Sequence, residues 1–121
     1  MERHHIIALF LLALVAVVCT LAGREFLRMH EPVEIIPGPG VTSTGSLSTY
    51  VGALAGTSSD AKVYVLDSGK PGATALVLGG THPNEPAGFM TTVVLAEHVS
   101  VQEGKLIVIP QVCSSGFTCT D

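Results

Sequence analysis

His82 and Glu85 stand three residues apart in the run Gly79-Gly80-Thr81-His82-Pro83-Asn84-Glu85-Pro86-Ala87-Gly88. An imidazole nitrogen and a carboxylate at that spacing can turn towards one point, and a zinc ion accepts that pair of donors. A plainer reading makes His82 a polar loop residue and Glu85 a negative charge at a helix start, where the helix dipole favours it by about 0.3–1 kcal/mol. The context brings the metal reading level with the plainer one. The pair falls where an apolar run, Ala75–Leu78, meets a helix-like run, Pro86–His98. Glycines at 79, 80 and 88 allow backbone and helix to approach closely, and Pro83 and Pro86 bracket Asn84-Glu85.

The elements that must position this pair follow from local pattern. Ala61–Asp67 alternates, with Val63, Val65 and Asp67 on one face and Lys62, Tyr64 and Leu66 on the other, which predicts a strand. Ser68–Gly72 is a turn by composition. Its Gly69-Lys70 does not make a phosphate loop, because Tyr64 stands where the first glycine is required and no Ser or Thr follows the lysine. Thr74–Leu78 is a short continuous apolar strand of the kind buried on both faces. Pro86 suits the first turn of a helix, with Asn84 or Glu85 as its cap, and Phe89, Val93 and Ala96 recur at helical spacing. Lys105–Ile109 is a second apolar strand, ended by Pro110. Strand, helix, strand with short connections implies parallel strands. Ligands of open α/β sheets bind beyond the carboxyl ends of such strands. His82 and Glu85 follow one of those ends, and Gln111–Asp121 follow the other.

Upstream, Ile6–Ala22 holds no charge and a single polar residue, Thr20. About 17 residues is the lower limit for a helix that crosses a bilayer. The segment reads as a membrane anchor or as a signal peptide, for which Thr20-Leu21-Ala22 offers a small-x-small cleavage pattern. Cys19 is no lipoprotein site, since Val17 and Val18 precede it. Either way the rest of the chain is expected outside the cytoplasm. Residues 1–23 are therefore assigned to the anchor or signal. Residues 24–46 are assigned to a tether and loop, with a short extended piece at Val33–Ile36, and residues 47–121 to the α/β domain, opening on a strand over Leu47–Leu54. The net charge of −4, with six Lys and Arg in 121 residues, does not fit nucleic-acid binding. Cys113 and Cys119 have the option of pairing in an oxidising compartment, with each other or with partners elsewhere.

Gly80-x-His82-x-Asn84-Glu85-x-x-Gly88 after an apolar strand resembles the signature of the succinylglutamate desuccinylase/aspartoacylase family, which is related in fold to the zinc carboxypeptidases. The later segment Leu106–Gln111, with its Ile-Pro ending, resembles the strand that follows in that family. Members commonly carry Gly between the His and the Asn; here Pro83 stiffens the loop and marks a divergent branch. The resemblance spans roughly Val63 to Gly116. It implies an α/β fold with a mixed, largely parallel sheet and crossover helix, zinc-carboxypeptidase-like, and zinc-dependent hydrolysis of an amide or related acyl bond in a small or peptide-like substrate. It makes His82 and Glu85 the first two zinc ligands.

A catalytic zinc usually has three protein ligands and a water, and in the family the third is a His far downstream. His98 is the last histidine, placed about 18 Å along the helix from its start. His30 belongs to the tether, and His4 and His5 precede the apolar run. No arginine follows Arg28, so the family's substrate-binding arginine is missing, and Glu97 and Glu103 face away from the loop. The expectation is an N-terminal portion of a longer enzyme, inactive or unstable alone. The rival expectation is a non-catalytic, membrane-tethered α/β module that binds a partner. A dinucleotide site at Gly79-Gly80 fails because G-x-G-x-x-G is absent.

Overall fold

The computed structural model describes residues 3–28, 31 and 33–118. They fall into two compact units, Met1–Glu31 and Pro32–Asp121.

The first unit is one helix, α1, Arg3–Arg28. Its 26 residues are long and apolar enough to cross a membrane or to act as a signal. Its apolar side chains point outward, as with Phe10 and Leu12, both 67% exposed. The Thr20 hydroxyl donates to the Ala16 carbonyl, which satisfies the one polar side chain of the apolar run from within the helix. The helix continues past the boundary expected at residue 23. Arg24–Arg28 contains no breaker, and Glu25 and Arg28 form an ion pair one turn apart at 3.8 Å.

The second unit is a four-stranded mixed sheet with one long helix and one short one. Its strands are β1 (Ser43–Ser46), β2 (Lys62–Asp67), β3 (Thr74–Leu78) and β4 (Lys105–Ile109), in the order β1-β2-β4-β3. Helix α2 (Pro86–His98) links β3 to β4, and α3 (Ser114–Thr118) follows β4. The β3–β4 pair is parallel, as a crossover helix requires, with Leu76 opposite Ile107 and Leu78 opposite Ile109. The other two pairings are antiparallel, so the sheet is mixed and not largely parallel. Asp67 sits opposite Lys105 in the β2–β4 register, and their side chains form a 2.7 Å ion pair.

Alternation on β2 divides the core. Tyr64 and Leu66 join Val108, Ala96 and Ile35 on one face, packed against Phe89 and Val93 of α2. Val63 joins Ala61 and Ile109 on the opposite face, covered by Leu47 and Val112.

Three sequence expectations are corrected here. Leu47–Leu54 is not a strand but two short 3-10 turns, Leu47–Thr49 and Gly52–Leu54. Polar side chains offer the backbone an alternative there: the Asp60 carboxylate accepts the Ser48 N–H at 2.8 Å, and the Ser46 and Ser48 hydroxyls bond to each other. Among the described residues, part of the supposed tether is structured. Besides the end of α1 it holds β1, and Ile35 is buried in the core. The Gly38 N–H donates to the Ala96 carbonyl and the Ile36 N–H to the Glu97 carboxylate, which fix the segment against the end of α2. Finally, β3 is not buried on both faces. It lies at the edge of the sheet, with Leu76 58% and Leu78 51% exposed.

Candidate functional site

The chain leaves β3 through Gly79 and Gly80, and both glycines are required by contact. A Cβ on Gly79 would run into the Thr92 hydroxyl and the Gly88 carbonyl of α2. Gly80 has φ +62°, and a Cβ there would lie 2.6 Å from the Pro110 carbonyl oxygen and 2.8 Å from the Phe117 ring. Thr92 is buried, and its hydroxyl donates to the carbonyls of Gly88 and Phe89 within α2, which fixes the side chain that Gly79 packs against.

Beyond the glycines, the Glu85 N–H donates to the His82 carbonyl at 3.0 Å and closes a turn. That turn brings the two predicted ligands together: His82 Nδ1 lies 3.3 Å from Glu85 Oε2, and both side chains are mostly exposed. Pro86 occupies the start of α2, as expected. Glu85 holds the N-cap position, yet its side chain makes no capping hydrogen bond. Its carboxylate is directed to the imidazole and not to the helix.

This contact is a direct His–carboxylate hydrogen bond, and its length is also compatible with two ligands of one metal. Two donors held about 2.0–2.1 Å from a tetrahedral zinc lie about 3.3–3.4 Å apart. His82 and Glu85 border a cavity of about 350 Å³ with Leu78, Gly80 and Gly88. Among the described residues, no three His, Cys, Asp or Glu side chains gather where they could hold a metal. His98 is at the far end of α2, 3.9 Å from Glu97, whose carboxylate also accepts the Ile36 N–H.

The loop after β4 abuts the loop after β3. The Gly79 N–H donates to the Ile109 carbonyl, and the Val112 and Cys113 N–H groups donate to the carbonyls of Gly79 and Gly80. Phe117 stacks at a tilt on Phe89, centroids 5.1 Å apart, and closes over Gly80 from the other side. The placement of both loops at one edge matches the sequence expectation. The supporting roles of Thr92, Phe117 and Leu78 were not read from the sequence; the close approach that Gly79-Gly80 permits was the available signal. Cys113 has a half-buried thiol in the second loop, and Cys119 lies outside the described residues.

A second cavity, about 290 Å³, lies between Ile35, Lys62, Tyr64, Gln111 and Phe117. Asp60 borders it, and hydrogen bonds from Ser48 hold that carboxyl below its usual range. Burial, with the Glu97 charge as a lesser cause, pushes the Tyr64 hydroxyl up.

Fold and site together define a four-stranded mixed α/β domain with a His–carboxylate pair beyond the ends of its two parallel strands, preceded in sequence by an apolar helix. The chain matches no protein-family model, no curated protein and no solved structure.

Proposed function

We propose that this chain serves zinc-dependent hydrolysis of an amide or related acyl bond, with His82 and Glu85 as two of the metal's ligands. The reading takes the domain as zinc-carboxypeptidase-like and akin to the succinylglutamate desuccinylase/aspartoacylase family. The observation that carries it is the 3.3 Å separation of His82 Nδ1 and Glu85 Oε2, the span of two adjacent positions on a tetrahedral zinc. Zinc held there would polarise a substrate carbonyl and lower the pKa of a bound water. The chain's own part is positional. The Glu85-to-His82 backbone hydrogen bond aims both donors one way, and Gly79 and Gly80 let α2 and the second loop close behind them. The substrate class is a small or peptide-like acyl compound and not a nucleic acid. In this reading α1 is a membrane anchor or a secretion signal, with the α/β domain outside the cytoplasm.

The test is metal content. After incubation with zinc and removal of excess, the purified chain should retain metal and His82→Ala should lose most of it with an unchanged far-UV circular dichroism spectrum. Equal zinc in the two proteins refutes the ligand assignment. A second reading, a tethered α/β module that binds without catalysis, is favoured by one observation: no third donor joins the pair among the described residues. Zinc binding without hydrolysis of any acyl-amino-acid or peptide amide would select it.

A further inference from the structure

Tyr64 is buried to all but 2% of its surface, yet its hydroxyl has no hydrogen-bond partner among the described residues. In that set no fully enclosed side-chain nitrogen or oxygen lacks a partner, so the small exposed part of Tyr64 includes its hydroxyl. Burial, more than the Glu97 charge, keeps that hydroxyl protonated at neutral pH, so it is a donor without an acceptor. An unpaired polar group inside a core costs stability, which a bound acceptor would restore. Two cavities meet at Tyr64 and Lys62, which share a face of β2: the one of about 290 Å³ described above, and one of about 380 Å³. Glu34 borders the second, where its carboxylate opposes an anion. In the first, the Asp60 charge is already engaged by the Ser48 N–H at 2.8 Å and by the Ser48 hydroxyl. The Lys62 ammonium forms no ion pair and the Gln111 side-chain amide no hydrogen bond among the described residues. One cation and two neutral donors without partners thus face a space otherwise walled by Val33, Ile35 and Phe117.

We propose that the cavity at Tyr64 binds a small carboxylic acid with an apolar body. Its carboxylate accepts from the Lys62 ammonium, the Tyr64 hydroxyl and the Gln111 amide, and its body lies against Ile35 and Phe117. The unmatched groups choose the ligand: they are all donors and one is charged, so they complement an acceptor-rich anion. The apolar wall excludes a ligand that is polar all round, such as inorganic phosphate. Segments on three sides build the cavity, namely Val33–Ile35, the start of β2 and the loop after β4. The site is separate from the His82–Glu85 pair and stands without the zinc reading.

The test titrates phenylacetate into the full ¹⁵N-labelled chain in detergent, with phenylacetamide and inorganic phosphate as controls. The backbone amides of Lys62, Tyr64 and Gln111 should shift saturably, with a dissociation constant on the order of 1 mM, ordinary for a ligand of about ten non-hydrogen atoms. Phenylacetamide keeps the apolar body without the charge, and phosphate keeps the charge without the body; each should bind at least about tenfold more weakly. Tyr64→Phe removes a hydroxyl that bonds nothing in the free protein, so thermal unfolding followed by circular dichroism should not shift downward. The same variant should bind phenylacetate about tenfold more weakly, as should Lys62→Met. Absence of saturable shifts in the millimolar range leaves the hydroxyl to water and overturns the proposal. Equal binding of either control, or undiminished binding by Tyr64→Phe, overturns it as well. His82→Ala should bind phenylacetate like the parent. Loss of binding in that variant would place the ligand at the His82–Glu85 pair and overturn the proposal, whereas its zinc content tests the metal reading alone.

Discussion

Strands β2 and β3 are similar in length and apolar character, yet they end in opposite environments. In β2, Leu66 is fully buried and Val63 and Tyr64 are 2% exposed; in β3, Leu76 and Leu78 are more than half exposed. The difference is position. Among the described residues β2 has a strand on each side, whereas β3 has β4 alone. An apolar run states what a strand can bury and not what it does bury. The buried strand residues of this domain are concentrated in β2 and β4.

The largest test of that contrast is a pair of truncations. Leu66→Ala removes a side chain with no exposed surface and should cost about 2–5 kcal/mol, whereas Leu76→Ala should stay within about 0.5 kcal/mol. Urea unfolding followed by the fluorescence of Tyr64, which sits beside Leu66 in the core, measures both. Comparable losses would mean that β3 is as buried as β2. A smaller effect is expected where β3 does meet something. Gly79→Ala drives a methyl group into Thr92 and Gly88 and should cost about 1–3 kcal/mol, with zinc retention falling alongside, as the loop is displaced. An alanine variant as stable as the parent would remove the close approach from the description of the site.

The smallest effect belongs to the Asp67–Lys105 pair at the other end of β2. A hydrogen bond from Lys105, then one from the Gly69 N–H, lowers the Asp67 carboxyl below its usual 3.8, and Asp67 in turn raises Lys105. The carboxyl is depressed in the folded state, so its contribution is complete above its unfolded value and is lost as pH falls through the folded one. Asp67→Asn should therefore be slightly less stable than the parent at neutral pH, and the gap should close in acid below the usual carboxylate range. A gap that persists there would assign the effect to packing.

Features set by neighbouring residues were legible in the sequence. Thr74–Leu78, Pro86–His98 and Lys105–Ile109 are where pattern, turn glycines and Pro86 put them. The His82–Glu85 pairing was legible too, because three residues and two prolines determine it locally. What escaped depends on distant partners. Ser43–Ser46 has no apolar residue and becomes a strand only because β2 offers an edge at that register. Leu47–Leu54 has the apolar residues of a strand and forms 3-10 turns instead, with the Ser48 N–H donating to the Asp60 carboxylate. The exposure of β3 follows from strand order, which no short window contains.

The two amides that Val112 and Cys113 donate to Gly79 and Gly80 set the order in which the molecule can be made. The turn carrying His82 emerges from the ribosome before its supports, which lie roughly thirty residues later, and contacts of that separation form late because a loop must close first. Until β4 and the loop after it have docked, the histidine and glutamate belong to a free strand end. The local His82–Glu85 turn is thus fixed against the sheet only by completed folding and is not a nucleus for it.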